Sequence, residues 1–150
     1  MKRFDFPLEK VREWRREQAE LEERKLQKLY GDLEGIAAER ARIEAELEEA
    51  VIAVRAQAQP LPADLANLDQ YREYARQCLL RNRQRGAECE KQIALQRQAL
   101  VEARRRFELL DRLRQKAWAE WNAAREKEQE ELAAELYLAK RQRENRFSEN

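Results

Sequence analysis

Apolar residues recur along almost the whole chain in alternating steps of three and four, and the pattern is broken once. One stripe runs Leu26, Leu29, Leu33, Ile36, Arg40, Ile43, Leu47, Ala50 and Val54, with a single polar member. A second runs from Leu65 through 68, 72, 75, 79, 82, 86, 89, 93, 96, 100, 103, 107, 110, 114, 117 and 121 to Ala124, and only Arg72, Asn82, Gln96 and Arg114 in it are polar. Such spacing puts each stripe on one face of an α-helix, in the a and d positions of a heptad. Between the stripes lies Gln59-Pro60-Leu61-Pro62-Ala63-Asp64. The prolines donate no backbone hydrogen bond and bias the residue before them away from helix, so a helix arriving here must stop. Asp64 is placed to cap the next one. The pattern predicts helix 1 over about 6–58, a turn at 59–64 and helix 2 over about 65–145. Folding back at the turn buries one stripe on the other: an all-α antiparallel two-helix coiled coil, a helical hairpin whose second helix is longer than its first, forming one elongated domain over residues 1–150.

Local departures refine this frame. Phe4-Asp5-Phe6-Pro7-Leu8-Glu9 reads as a helix start, with Asp5 as cap and Pro7 in the first turn, where a missing N–H is no loss. Leu8, Val11, Trp14 and Leu21 join the helix 1 register only through a stutter. Gly31 and Gly35 fall in mid-helix, each unfavourable by about 1 kcal/mol relative to alanine, and mark a soft point or a close approach. Pairing about residue 61 sets Ile36 near Gly86 and Leu47 near Ala75, and brings Glu44, Glu46, Glu48 and Glu49 alongside Arg72, Arg76 and Arg81. Helix 1 runs out near residue 117, so about thirty residues of helix 2 overhang it. Beyond Ala124 the register fails, and Leu132, Leu136 and Ala139 continue a face from Trp118.

Composition narrows the function. With 41% charged residues, 7% aromatic and three glycines in 150 residues, the chain is not a compact globule. A formal net charge of +1 excludes a uniformly basic nucleic-acid binder, yet charge is segregated: residues 71–116 carry thirteen Lys/Arg against six Asp/Glu, and residues 120–136 carry two against six. There is no apolar run long enough for a membrane span and no apolar signal core after Met1-Lys2-Arg3, so a cytoplasmic protein is expected. Cys78 and Cys89 stand about 16 Å apart on one helix, too far for a mutual disulfide, and are expected to be free thiols. Without histidine or a CxxC pair, no metal site or cofactor is expected. Glycine-rich loops, a nucleophile elbow and a Walker lysine are absent from the sequence, and its carboxylates lie on solvated helical faces, so no enzyme is expected.

What remains is surface. Tyr71, Tyr74 and Cys78 form a stripe outside the seam near the turn, either a partner-binding surface or a cover wrapped over Pro60 and Leu61. At the opposite, open end, Phe4, Phe6, Trp118, Leu132 and Leu136 supply more apolar bulk than a two-helix seam covers, and form a second candidate partner-binding set. Trp14, Trp118 and Trp121 are expected to close the seam there with Phe4 and Phe6. Arg81, Arg83, Arg85 and Arg104-Arg105-Arg106 are expected to flank the seam and pair with helix 1; the competing reading is a dock for an acidic partner or nucleic acid, though no aromatic residues interleave with them to stack bases.

The opening Phe4-x-Phe6-x-Leu8-x-x-Val11-x-x-x-Arg15, followed by about 130 residues of charged helix with one break, resembles the flagellar FliJ family. Phe107-Glu108-x-x-Asp111-x-Leu113, the aromatic Trp121 and Glu128-x-x-Glu131-Leu132-x-x-Glu135-Leu136 before a basic tail extend the resemblance over essentially the whole chain. The chain departs from the family pattern at Trp121, where a tyrosine is usual, and at Ala134-Glu135, where an Asp-Glu pair is common. The break and the charge match between the helices predict an extended monomer, and the resemblance implies a cytoplasmic coiled coil at the inner-membrane base of the flagellum, similar to the central stalk of rotary ATPases. Its implied partners are the flagellar export ATPase hexamer, whose ring takes the paired termini, the export-gate cytoplasmic domain, and export chaperones held in the hairpin region. The equivalent stalk of a virulence type III secretion system, a self-assembling structural coiled coil and a nucleic-acid binder acting through Arg81 to Arg106 are the competing readings.

Overall fold

A computed structural model describes residues 2–148 of the chain. Two helices account for most of it: α1, Glu9–Arg55, and α2, Pro62–Ser148, of 47 and 87 residues. The fold is the all-α helical hairpin that the stripes require. Its internal contacts fall into two units, one comprising Gln18–Ala103 and the other Met1–Glu17 with Arg104–Asn150.

The helix ends lie inside or outside the predicted ones by three residues. α1 begins at Glu9, not at 6, because Phe6-Pro7-Leu8 makes a turn that hands the Glu9 N–H to the Phe6 carbonyl at 3.0 Å; Asp5 lies outside it and caps nothing. α1 stops at Arg55, and the chain unwinds through 56–59 with Ala56 N bonded to Ile52 O at 2.9 Å. α2 begins at Pro62 instead of 65, since proline's fixed φ suits a first helical position. The Asp64 and Leu65 N–H groups donate to Leu61 O at 3.0 and 3.2 Å, so Leu61 opens the helix and Asp64 sits in its first turn. There its carboxylate favours the positive end of the helix dipole without being the cap.

In the unit Gln18–Ala103 the core is narrow. Leu26, Cys89, Ile93 and Leu100 are buried, with Leu29, Tyr30, Leu33 and Ile36 packed on them, and Leu68 and Ala75 are buried nearer the turn. Each fully buried leucine contributes about 1.5–3 kcal/mol, so a seam this thin leans on many modest contributions. The Ile36 expectation holds: a Cβ on Gly86 would stand 3.7 Å from Ile36 Cγ2, ordinary contact. At Gly31 and Gly35 a Cβ would meet nothing within 4 Å and the helix is continuous, so neither marks a close approach.

Three side chains of the α2 seam are tied to α1 in a regular series. Asn82 Nδ2 donates to Ile36 O at 2.9 Å, Cys89 Sγ to Leu29 O at 3.4 Å and Gln96 Nε2 to Glu22 O at 3.0 Å. On each helix these partners are one heptad apart, so side chains of α2 reach successive main-chain oxygens of α1. Asn82 also bonds Glu39 at 3.3 Å, and Gln96 the Glu22 carboxylate. That bond lowers the Glu22 pKa against the opposing effect of burial. Arg72, expected in the seam, is exposed, and Tyr71 turns inward in its place.

In the other unit the sequence-derived register fails at α1. Leu8, Val11 and Trp14 are exposed, and Glu9, Arg12 and Arg15 lie on the less exposed side. The reason is an ion-pair cluster. Arg12 donates to Asp111 Oδ1 through Nη2 at 2.7 Å and Nε at 3.0 Å, while Arg114 Nε donates to Glu9 Oε2 at 2.8 Å. The hydrogen bond to Asp111 raises the Arg12 pKa, and its guanidinium also lies 5.3 Å from the centre of the Phe107 ring.

Candidate partner-binding surfaces

Near the turn, the three residues singled out from sequence do not behave as one stripe. Tyr71 is half-buried and lines a small hollow with Ala50, Val54 and Leu68, which makes it part of the seam. Cys78 is half-buried, and Tyr74 stays 61% exposed. A side-chain hydrogen bond to Cys78 raises the Tyr74 phenol pKa, and Arg81 Nη2 approaches Cys78 Sγ at 3.8 Å. They do not wrap the turn either, since Leu61 is 64% exposed.

A more defined feature beside them was not anticipated from sequence. Leu47, Val51, Leu79 and Leu80 floor a groove of about 460 Å³ rimmed by Arg72, Arg76 and Arg83. The signal was present: Arg72, Arg76, Leu80 and Arg83 share one helical face at steps of four, four and three, and Leu80 adds an apolar residue outside the heptad. The acidic run of helix 1 does not neutralise this rim as expected. Arg76 pairs with Glu73 at 3.1 Å and Arg72 lies 3.8 Å from Asp69, both within α2, while Glu44 pairs with Arg40. Arg85, expected to bind helix 1, does so through Glu39 at 2.9 Å. Arg83 is left facing the groove.

The open-end residues separate into two groups. Phe6 is buried, and the Phe4 ring sits 5.8 Å from Trp121 with the Arg114 guanidinium 5.7 Å from its centre. Trp121 Nε1 donates to Lys2 O at 3.2 Å. These contacts clasp residues 2–6 onto α2, so Phe4 and Phe6 are structural. Trp121 closes the seam; Trp14 and Trp118, expected to share that role, are each 48% exposed, and Arg15 lies over the Trp14 ring. Beyond Arg125 every described side chain of α2 is exposed, including Leu132 at 58%, Leu136 at 64%, Tyr137 and Leu138.

Among the described residues no group of His, Cys, Asp or Glu is arranged to hold a metal ion, and no helix is long and apolar enough to cross a membrane. Comparison with protein-family models, with curated proteins and with solved structures gave no match.

Proposed function

We propose that this chain is a non-enzymatic stalk and adaptor of the flagellar type III export apparatus, of the FliJ type, working in the cytoplasm at the base of the flagellum. In this reading residues 126–148 enter the ring of the export ATPase and promote assembly of its hexamer. The arginine-rimmed groove near the turn takes the export-gate cytoplasmic domain or an export chaperone. The observation that carries the reading is the exposed apolar stripe Leu132, Leu136 and Ala139, with Tyr137 and Leu138 exposed beside it, on a stretch of α2 against which no other described element packs. An apolar stripe on a solvated helix is a partner-binding feature, because such a helix gains little stability until that face is covered. The sequence resemblance supplies the identity of the partner. Support for it comes from the clasp: Phe4 and Phe6, which open the motif, hold the N-terminal residues on α2 and leave the stripe free for a partner.

Truncation after Ala124 tests this. It keeps Phe4, Phe6 and Trp121 and removes the stripe. Stimulation of the export ATPase should fall to the unstimulated rate while helicity per residue is unchanged. Full stimulation by the truncated chain would remove residues 126–148 from the reading.

A further inference from the structure

The apolar stripe lies on a segment whose charge is divided end to end. Residues 126–135 carry five glutamates against one lysine, and residues 137–146 carry four Lys/Arg against one glutamate. The minority charges are matched within the helix, Lys127 lying 3.9 Å from Glu131 and Lys140 4.0 Å from Glu144. Glu130 and Glu135 are left on the acidic half, and Arg141, Arg143 and Arg146 on the basic half, without a charged partner among the described residues.

A segment of this kind is complementary to itself under one operation. Turned about a two-fold axis near its midpoint, its acidic half faces the basic half of a second copy, and its own basic half faces the other's acidic half. The midpoint falls near Leu136, so Leu132, Leu136 and Ala139 of each copy meet at the centre. We infer that, in the absence of another partner, residues 126–146 of two copies pair antiparallel and bury each other's stripe. A parallel dimer would set the basic stretch 71–116 against itself, an objection that does not apply to an antiparallel pair of these later residues. The inference rests on reading the stripe as a partner-binding face, and makes the pair a closed form that an incoming partner must open.

Sedimentation of the full chain alone, with no ATPase present, tests it. The wild type should pass from monomer to dimer with a dissociation constant of about 100 µM, between the micromolar and millimolar marks. The triple variant Glu130→Lys, Glu131→Lys, Glu135→Lys makes both halves basic, and Arg141→Glu, Arg143→Glu, Arg146→Glu makes both acidic. Each variant alone should dimerise at least about tenfold more weakly, since like charges then face one another. An equimolar mixture should recover dimer, because each half again meets its opposite. Circular dichroism of each variant confirms that the helices persist. A wild type that stays monomeric throughout overturns the inference and leaves the stripe to a partner of different sequence. So does a mixture that remains monomeric, or a charge-reversed variant that associates as strongly as the wild type. A wild type that stays monomeric yet stimulates the ATPase would sink this inference alone; a wild type that dimerises but does not stimulate would sink the proposed function alone.

Discussion

At the scale of single residues, the heptad-spaced donors of α2 decide how the helices of the unit Gln18–Ala103 are registered. An apolar seam of leucines and alanines tolerates a slip of one heptad with little loss, because similar side chains recur every seven residues. Asn82 is different: at 3% exposure its amide is out of water, and it is satisfied only where Ile36 O and Glu39 lie opposite. Asn82→Ala should lower stability by about 1–2 kcal/mol, read from urea unfolding, through the lost hydrogen bonds and the space left behind. Asn82→Leu should melt at or above the wild-type temperature, since it removes a buried polar group, but should admit other pairings, visible as broadened distances between spin labels at Leu47 and Ala75. A single narrow distance in that variant would show that the register is fixed elsewhere. The sequence already displayed this device, as an asparagine and a glutamine among the four polar members of a largely apolar series. It did not display that their partners are main-chain carbonyls, because every residue of α1 carries one.

At the scale of elements, the two helices and their break were legible because proline chemistry and a three-four period leave few alternatives. Their ends were less so. Pro62 was read as a helix stop when it is the first helical residue, and both readings obey the same missing N–H. The misread register at residues 8–21 has a different cause. Periodicity counts apolar residues as inward, but Arg12, Asp111, Glu9 and Arg114 satisfy one another between the helices. That exchange of partners involves residues about a hundred positions apart and is invisible to a local window. Tyr71 entered the seam for a comparable reason, since Arg72 beside it is better solvated outside. Gly31 and Gly35 lie on an exposed face of a continuous helix where a methyl group meets nothing. Replacing each with alanine should therefore stabilise the chain by up to about 1 kcal/mol, through helix propensity alone. A fall in melting temperature in the double variant would mean that the glycines serve a bend or contact absent from this structure.

At the scale of the whole molecule, the two candidate surfaces lie in different units, and each can be altered without touching what holds its own unit together. Arg83 rims the groove in one unit and bears no part of the seam; Leu132 and Leu136 lie beyond the clasp of Phe4 and Trp121 in the other. This allows a test of the proposed adaptor role that a general loss of folding cannot mimic. Arg83→Glu reverses the charge at the rim and should weaken binding of the gate domain or chaperone by about tenfold, the scale of one displaced charge contact, while ATPase stimulation is unchanged. Leu132→Ser with Leu136→Ser should do the opposite, abolishing stimulation and sparing the groove. Both variants should melt within about 0.5 kcal/mol of the wild type in stability, as exposed substitutions do. Measured side by side in gate or chaperone pull-downs and in ATPase assays, an adaptor gives this crossed pattern. A variant that loses both activities at unchanged stability would mean that one surface serves both partners, and the division of labour proposed between the two units would be wrong.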